Sequence, residues 1–186
     1  MIKLKGTRSS WGLLAKIFHW SIAILLFWQV GTGISLHNME FSPLKIGVIS
    51  SHKIFGTIIF TLIVLRLFWR FFNTHPKYES LPKKHIIISN IVHFILYFLV
   101  IFIPIQGTYM TWLGGSNVSF FGLIDIPTLI DMDFLKYQKN LKIHYYSAII
   151  LTSFFILHIL AAIYHKFIIR DKYGVWSKMI SKQKEV

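Results

Sequence analysis

The chain contains no cysteine, which excludes disulfides, thiolate ligation of iron or zinc, iron–sulfur clusters and thioether attachment of a prosthetic group. Charge is scarce as well: 15% of the residues are charged, and Asp and Glu together number 7 against 20 Lys and Arg. A soluble domain of 186 residues needs a more polar surface than that, and the chain is too short for two large domains. The first apolar segment lacks a small-residue cleavage site and runs past the length of a signal-peptide core, so it reads as a retained span. What remains is 54% hydrophobic and 17% aromatic residues gathered into long runs.

Four of those runs can cross a hydrocarbon core of about 30 Å. They lie near residues 12–36, 45–72, 86–113 and 141–169. The fold class expected is all-α, an integral membrane four-helix bundle forming a single domain over residues 1–186. The net charge of +13 would suit nucleic acid, yet its distribution suits topology better. Fifteen of the twenty basic residues fall before or early in the first run, between the second and third, or after His165; Lys45, Lys53, Lys136, Lys139 and Lys142 fall on the other side. Both termini are therefore expected in the cytoplasm, with membrane lipid rather than nucleic acid as the surrounding partner.

The chemistry is organised around Leu141 to Phe167, which carries His144, His158 and His165 in an apolar setting. On an α-helix, fourteen residues return to within about 40° of the starting direction and climb about 21 Å. His144 and His158 thus share a face at two depths. Unpaired imidazoles are costly in a membrane, and a metal suits a neutral imidazole. Antiparallel threading sets the levels: helix one meets His19 at the inner level, helix two meets His52 at the outer level, and helix four meets both. The assignment that gives each level two ligands on opposite sides is His19 with His158 inside and His52 with His144 outside. This predicts two b-type haems, each held by two histidines, stacked across the bilayer. Six-coordinate iron at both levels points to electron transfer rather than oxygen activation.

Other residues fall around these four. Gly33, fourteen residues after His19, either removes bulk beside an outer haem or packs against a neighbouring helix, as does Gly31. Gly56, one turn from His52, leaves a gap beside that ligand. Arg66, His52 plus fourteen, either pairs with haem propionates or quinol oxygens or snorkels to the inner interface. His93 is a third inner candidate, read as a hydrogen-bonding group beside the inner site. His165 suits a proton-exchanging role at a quinone site on the cytoplasmic side, while His75 and His85 read as solvated loop residues. Pro104 should kink helix three. The connection 114–140 is too apolar for simple disorder and is expected to fold back over the outer end, and the basic C-terminal segment to lie on the cytoplasmic surface.

With these residues in place the chain resembles the bacterial cytochrome b561 family over nearly its whole length. The matching pieces are His19-Trp20, His52 with Gly56, Arg66 followed by Trp69-Arg70 and Thr74-His75-Pro76, His93 with Tyr97, Pro104 and Gly107, and finally His144, His158, Ala161-Ala162, His165 and Arg170-Asp171. The resemblance implies an inner-membrane protein with two haems b on His19, His52, His144 and His158. A characterised activity in the family is oxidation of periplasmic superoxide with reduction of ubiquinone. Lys53 and Lys142 are then candidates for drawing in superoxide, with Lys45, Lys136 and Lys139 adding to the field. The competing expectation is an electron-transfer subunit, similar to the cytochrome b of membrane hydrogenases or formate dehydrogenases, passing electrons between a periplasmic redox protein and quinone. A scaffold without cofactor is a third. Monomer and homodimer are both compatible with the sequence.

Overall fold

The computed structural model describes residues 4–78 and 81–180. Four helices carry the architecture: α1 (Leu13–Asn38), α2 (Pro43–Phe71), α3 (Lys83–Leu113) and α4 (Phe134–Phe167). They have 26, 29, 31 and 34 residues, and each is long and apolar enough to cross a membrane. A two-stranded antiparallel hairpin, β1 (Val118–Phe120) and β2 (Ile124–Ile126), joins α3 to α4, and a short α5 (Ser177–Ile180) follows α4. The all-α membrane bundle expected from the apolar runs is the fold observed.

Local chemistry explains the helix starts. Ser42 caps α2, its Oγ accepting from Lys45 N at 3.3 Å, with Pro43 in the first turn where its missing N–H costs nothing. Asp133 caps α4 by accepting from Lys136 N at 2.9 Å and pairs with Lys136 Nζ at 3.0 Å. Because of that cap α4 begins at Phe134, not near 141, and the outer connection is shorter than expected. Likewise α3 begins at Lys83, so His85 sits in its first turn and is half-buried, which corrects its reading as a solvated loop residue. Helix α3 runs unbroken through Pro104. Within the spans, hydroxyls satisfy themselves on their own helices, as Thr61 does on Thr57 O, Thr152 on Ala148 O and Ser153 on Ile149 O.

Helix α1 packs on α2 and α3 on α4, while α1 and α4 approach each other less closely. The core is a mid-depth belt of Ile22, Leu26, Ile59, Ile63, Leu99, Val100, Leu151 and Phe155, with Phe27 and Phe155 in edge contact at 4.9 Å across α1 and α4. Outward-facing Ile24, Trp28, Phe94, Phe98, Ile156 and Leu160 stay exposed, as lipid-facing side chains do. The hairpin lies back along α2: Phe121 N donates to Thr57 Oγ1 at 3.2 Å, and Val118 is buried. At the opposite end three segments knit together. Lys77 N donates to Arg8 O, Gly6 N to Asn73 Oδ1, and Trp11 N to Lys178 O.

Candidate functional site

The two histidine levels lie on either side of the apolar belt. At one, His52 on α2 faces His144 on α4 with ring centres 6.2 Å apart; at the other, His19 on α1 faces His158 on α4 at 6.1 Å. All four are half-buried. An ion shared by two imidazoles, at about 2 Å from each nitrogen and roughly 1 Å more to each ring centre, spans about 6 Å, so each pair has the spacing to hold one metal between opposed rings. Among the described residues no cluster of three or more His, Asp or Glu suits a metal; a haem iron would need only the two imidazoles of a level, its macrocycle supplying the other ligands.

At the His52–His144 level, the outer one on the topology expected from the charges, the ring protons can be assigned from the neighbours. Gln106 of α3, 7% exposed, spends its amide N–H groups on Asn140 O and Oδ1 at 2.7 and 3.2 Å. Its Oε1 therefore accepts from His144 Nδ1, at 3.0 Å. Thr32 Oγ1 spends its proton on Gln29 O and so accepts from His52 Nδ1 at 2.9 Å. Gln29 Nε2 in turn donates to His52 O at 2.9 Å. Both outer imidazoles thus carry the proton on Nδ1 and offer Nε2, the tautomer a metal ligand needs. Space is arranged to match: a Cβ on Gly107 would lie 3.1 Å from His144 Cε1, and one on Gly33 would lie 3.6 Å from His52 Cε1. Gly56 faces the Gln29 amide, 3.5 Å from a built Cβ, and Gln29 Oε1 is a buried acceptor without a partner. The residues present at this level fit the group.

The inner level differs. Arg66 Nη1 lies 2.8 Å from His19 Nδ1. A guanidinium only donates, so Nδ1 is the acceptor and the ring proton sits on Nε2. Ligation through Nε2 therefore requires Arg66 to release Nδ1. Beside it Arg70 lies over Trp11 and Tyr97, and Arg66 over Tyr97, each at 5.8–5.9 Å. Together with Trp69 and Asn73 these side chains line a shallow cleft of about 20 Å³, and among the described residues the buried Trp69 Nε1 has no hydrogen-bond partner. His93 of α3 contacts His158, ring centres 5.4 Å apart.

His165 is not brought to His93. Its ring neighbours are His85, Tyr164 and Tyr173, with His85 Nδ1 3.5 Å from His165 Nε2. Lys53, directly after His52, is half-buried, and Lys142, two residues before His144, is exposed. Sequence reasoning passed over Thr32, Gln29, Gln106 and His37; the last stacks on Tyr145 at 4.8 Å near the outer rim. For Gln106 the signal was available, since an amide inside an apolar run must find internal partners.

A membrane bundle that opposes imidazoles at two depths, with neutral tautomers enforced at one of them, is that of a membrane haem cytochrome. The family comparison names the branch: residues 10–182 match the prokaryotic cytochrome b561 family, and the chain belongs to it. It is similar to cytochrome b561 homolog 2 of Escherichia coli K12, with 23% identity over 188 residues, covering 95% of this chain and 94% of that protein. The protein is accordingly a multi-pass membrane oxidoreductase that carries electrons through b-type haem.

Proposed function

We propose that the chain binds two haems b, on His19 with His158 and on His52 with His144, and carries electrons from periplasmic superoxide to ubiquinone across the bacterial inner membrane, both termini facing the cytoplasm. The observation that carries this reading is the pair of opposed imidazoles at each of two levels, at 6.2 and 6.1 Å between ring centres. Bound haem supplies reversible one-electron chemistry. Two superoxide anions each give up one electron and leave as dioxygen, while one quinone takes up two electrons and two protons. Lys53 and Lys142 raise the local concentration of the anion at the outer face. At the inner end Arg66 serves a propionate or a quinol oxygen, His93 hydrogen-bonds beside His158, and His165, whose Nδ1 is buried and unpartnered, passes protons taken up through His85.

Stopped-flow visible spectroscopy on the oxidised, detergent-purified protein tests this. Superoxide alone is expected to produce reduced-haem bands, and added ubiquinone to remove them. One observation favours a second reading: the outer face leaves Phe41, Leu44, Leu123 and Leu129 exposed around the hairpin, a surface on which a periplasmic redox protein could dock. Haem bands that stay oxidised with superoxide but reduce with quinol would turn the assignment to such an electron-transfer subunit.

A further inference from the structure

We infer that the two histidine levels are electrostatically unequal, the inner one holding an electron more tightly than the outer, so that the protein's own side chains bias electron flow inward. This rests on the reading that each level holds one haem. The bias begins with what each ligand's far nitrogen meets. At the outer level both Nδ1–H groups donate to neutral oxygens, Thr32 Oγ1 and Gln106 Oε1. Such donation makes an imidazole a stronger electron donor, and a more basic ligand favours the oxidised, more positive iron. Gln106 is a rigid acceptor, because its own amide is strapped to Asn140 one turn ahead of His144.

At the inner level the nearest group is a cation. Arg66 reaches His19 at 2.8 Å, and Arg70 shares the Tyr97 ring with it. A guanidinium keeps its charge whether it meets His19, a propionate or a quinol oxygen. A fixed positive charge in a partly buried site stabilises the reduced, less positive iron, and the effect does not need the direct contact with His19 because a charge acts over several ångströms at low dielectric. Lys53 and Lys142 lie near the outer level, but each is one or two positions from its histidine and so points about 100–200° away around the helix. His93 is an imidazole rather than a permanent cation and adds no fixed charge inside.

At each level the change is one electron gained or lost, with no bond broken. A tenfold preference for the inner level corresponds to about 59 mV in a one-electron couple. The test is a potentiometric titration of the purified holoprotein, followed by visible and low-temperature EPR spectra, on wild type, Gln106→Met, Gln106→Glu, Arg66→Gln and Arg66→Lys. Wild type is expected to show two haems per chain and two waves. Gln106→Met, which keeps the length and loses the acceptor, should raise the lower-potential wave and move one ferric EPR signal, leaving the other alone. Gln106→Glu keeps the Oε acceptor and loses the strap, and should leave that wave at or below its wild-type position. Arg66→Gln should lower the higher wave, and Arg66→Lys should hold it in place; if Arg66→Gln binds one haem, the lysine variant carries the comparison. Movement of the higher wave by Gln106→Met, or no movement in either Gln106 variant, would overturn the inference while the two-haem reading stands. One haem or none in wild type would instead remove the reading beneath it.

Discussion

His144 is held from three directions: Gln106 Oε1 takes its Nδ1 proton, Gly107 backs its Cε1 edge, and His52 faces it across the level. The ring has one orientation as a result, and small changes nearby should be felt. Gly107→Val places branches where even a Cβ would stand 3.1 Å from Cε1, so the ring must move or tilt. Expected is a fall in haem content from two per chain toward one, measured by pyridine haemochrome, with the inner spectrum retained. His144→Leu should reach the same endpoint by deleting the donor, and His158→Leu should lose the other half. Equal loss of both haems from either change would count against separate levels.

Among the elements, the turn after α4 is the most strained. Arg170 and Asp171 both have positive φ, 51° and 50°, a conformation that non-glycine residues adopt only when their surroundings hold them there. The hold is visible: Asp171 N donates to His165 O at 2.8 Å, and the Asp171 carboxylate accepts from Trp176 N at 2.9 Å and Ser177 N at 2.8 Å. Partial burial pushes the carboxyl pKa up, but the hydrogen bonds from Ser177 and Trp176 outweigh it and leave the group below its ordinary 3.8. A lowered folded-state pKa means that the stabilisation is present above 3.8 and is lost as pH falls through the lower folded value. Docking of α5 against Trp11 is therefore expected to loosen below about pH 4, read as a change in tryptophan emission. Asp171→Asn should show the loosened signal at neutral pH and no transition on acidification.

For the whole molecule the governing feature is the sidedness of charge. Among the described residues, twelve of seventeen Lys and Arg lie toward one end of the bundle, and that end is where Arg8, Asn73, Lys77 and Lys178 interlock. On the proposed topology, which follows the positive-inside rule, this end faces the cytoplasm. Cysteines introduced at Ser9 and at Asn38 in this cysteine-free chain should label from opposite sides of sealed spheroplasts; labelling of Asn38→Cys from the cytoplasm would invert the topology. On the proposed function the few lysines on the far side act on the anionic donor. Lys53→Gln with Lys142→Gln should slow superoxide oxidation several-fold at low salt and flatten its salt dependence, and an unchanged rate would remove them from the mechanism.

Distances along one dimension were legible in the amino-acid order alone. Four apolar runs set the number of helices, and rise per residue with alternating direction set the heights at which His19, His52, His144 and His158 stand. Height needs only counting along a chain. Boundaries were less legible where a polar cap preceded an amphipathic turn, so the Asp133 cap and the early start of α3 at Lys83 moved Tyr137, Asn140 and His85 into helices. Lateral relations had to come from packing: Gln106 and Thr32 close on the outer imidazoles, Arg66 reaches His19, and His165 meets His85 rather than His93. These depend on how far each helix is rotated about its axis and which neighbour it leans on. Lipid and core are equally apolar here, so a hydrophobic pattern along a span does not reveal which face turns inward. The polar side chains that do reveal it are satisfied by partners 20 to 80 residues away.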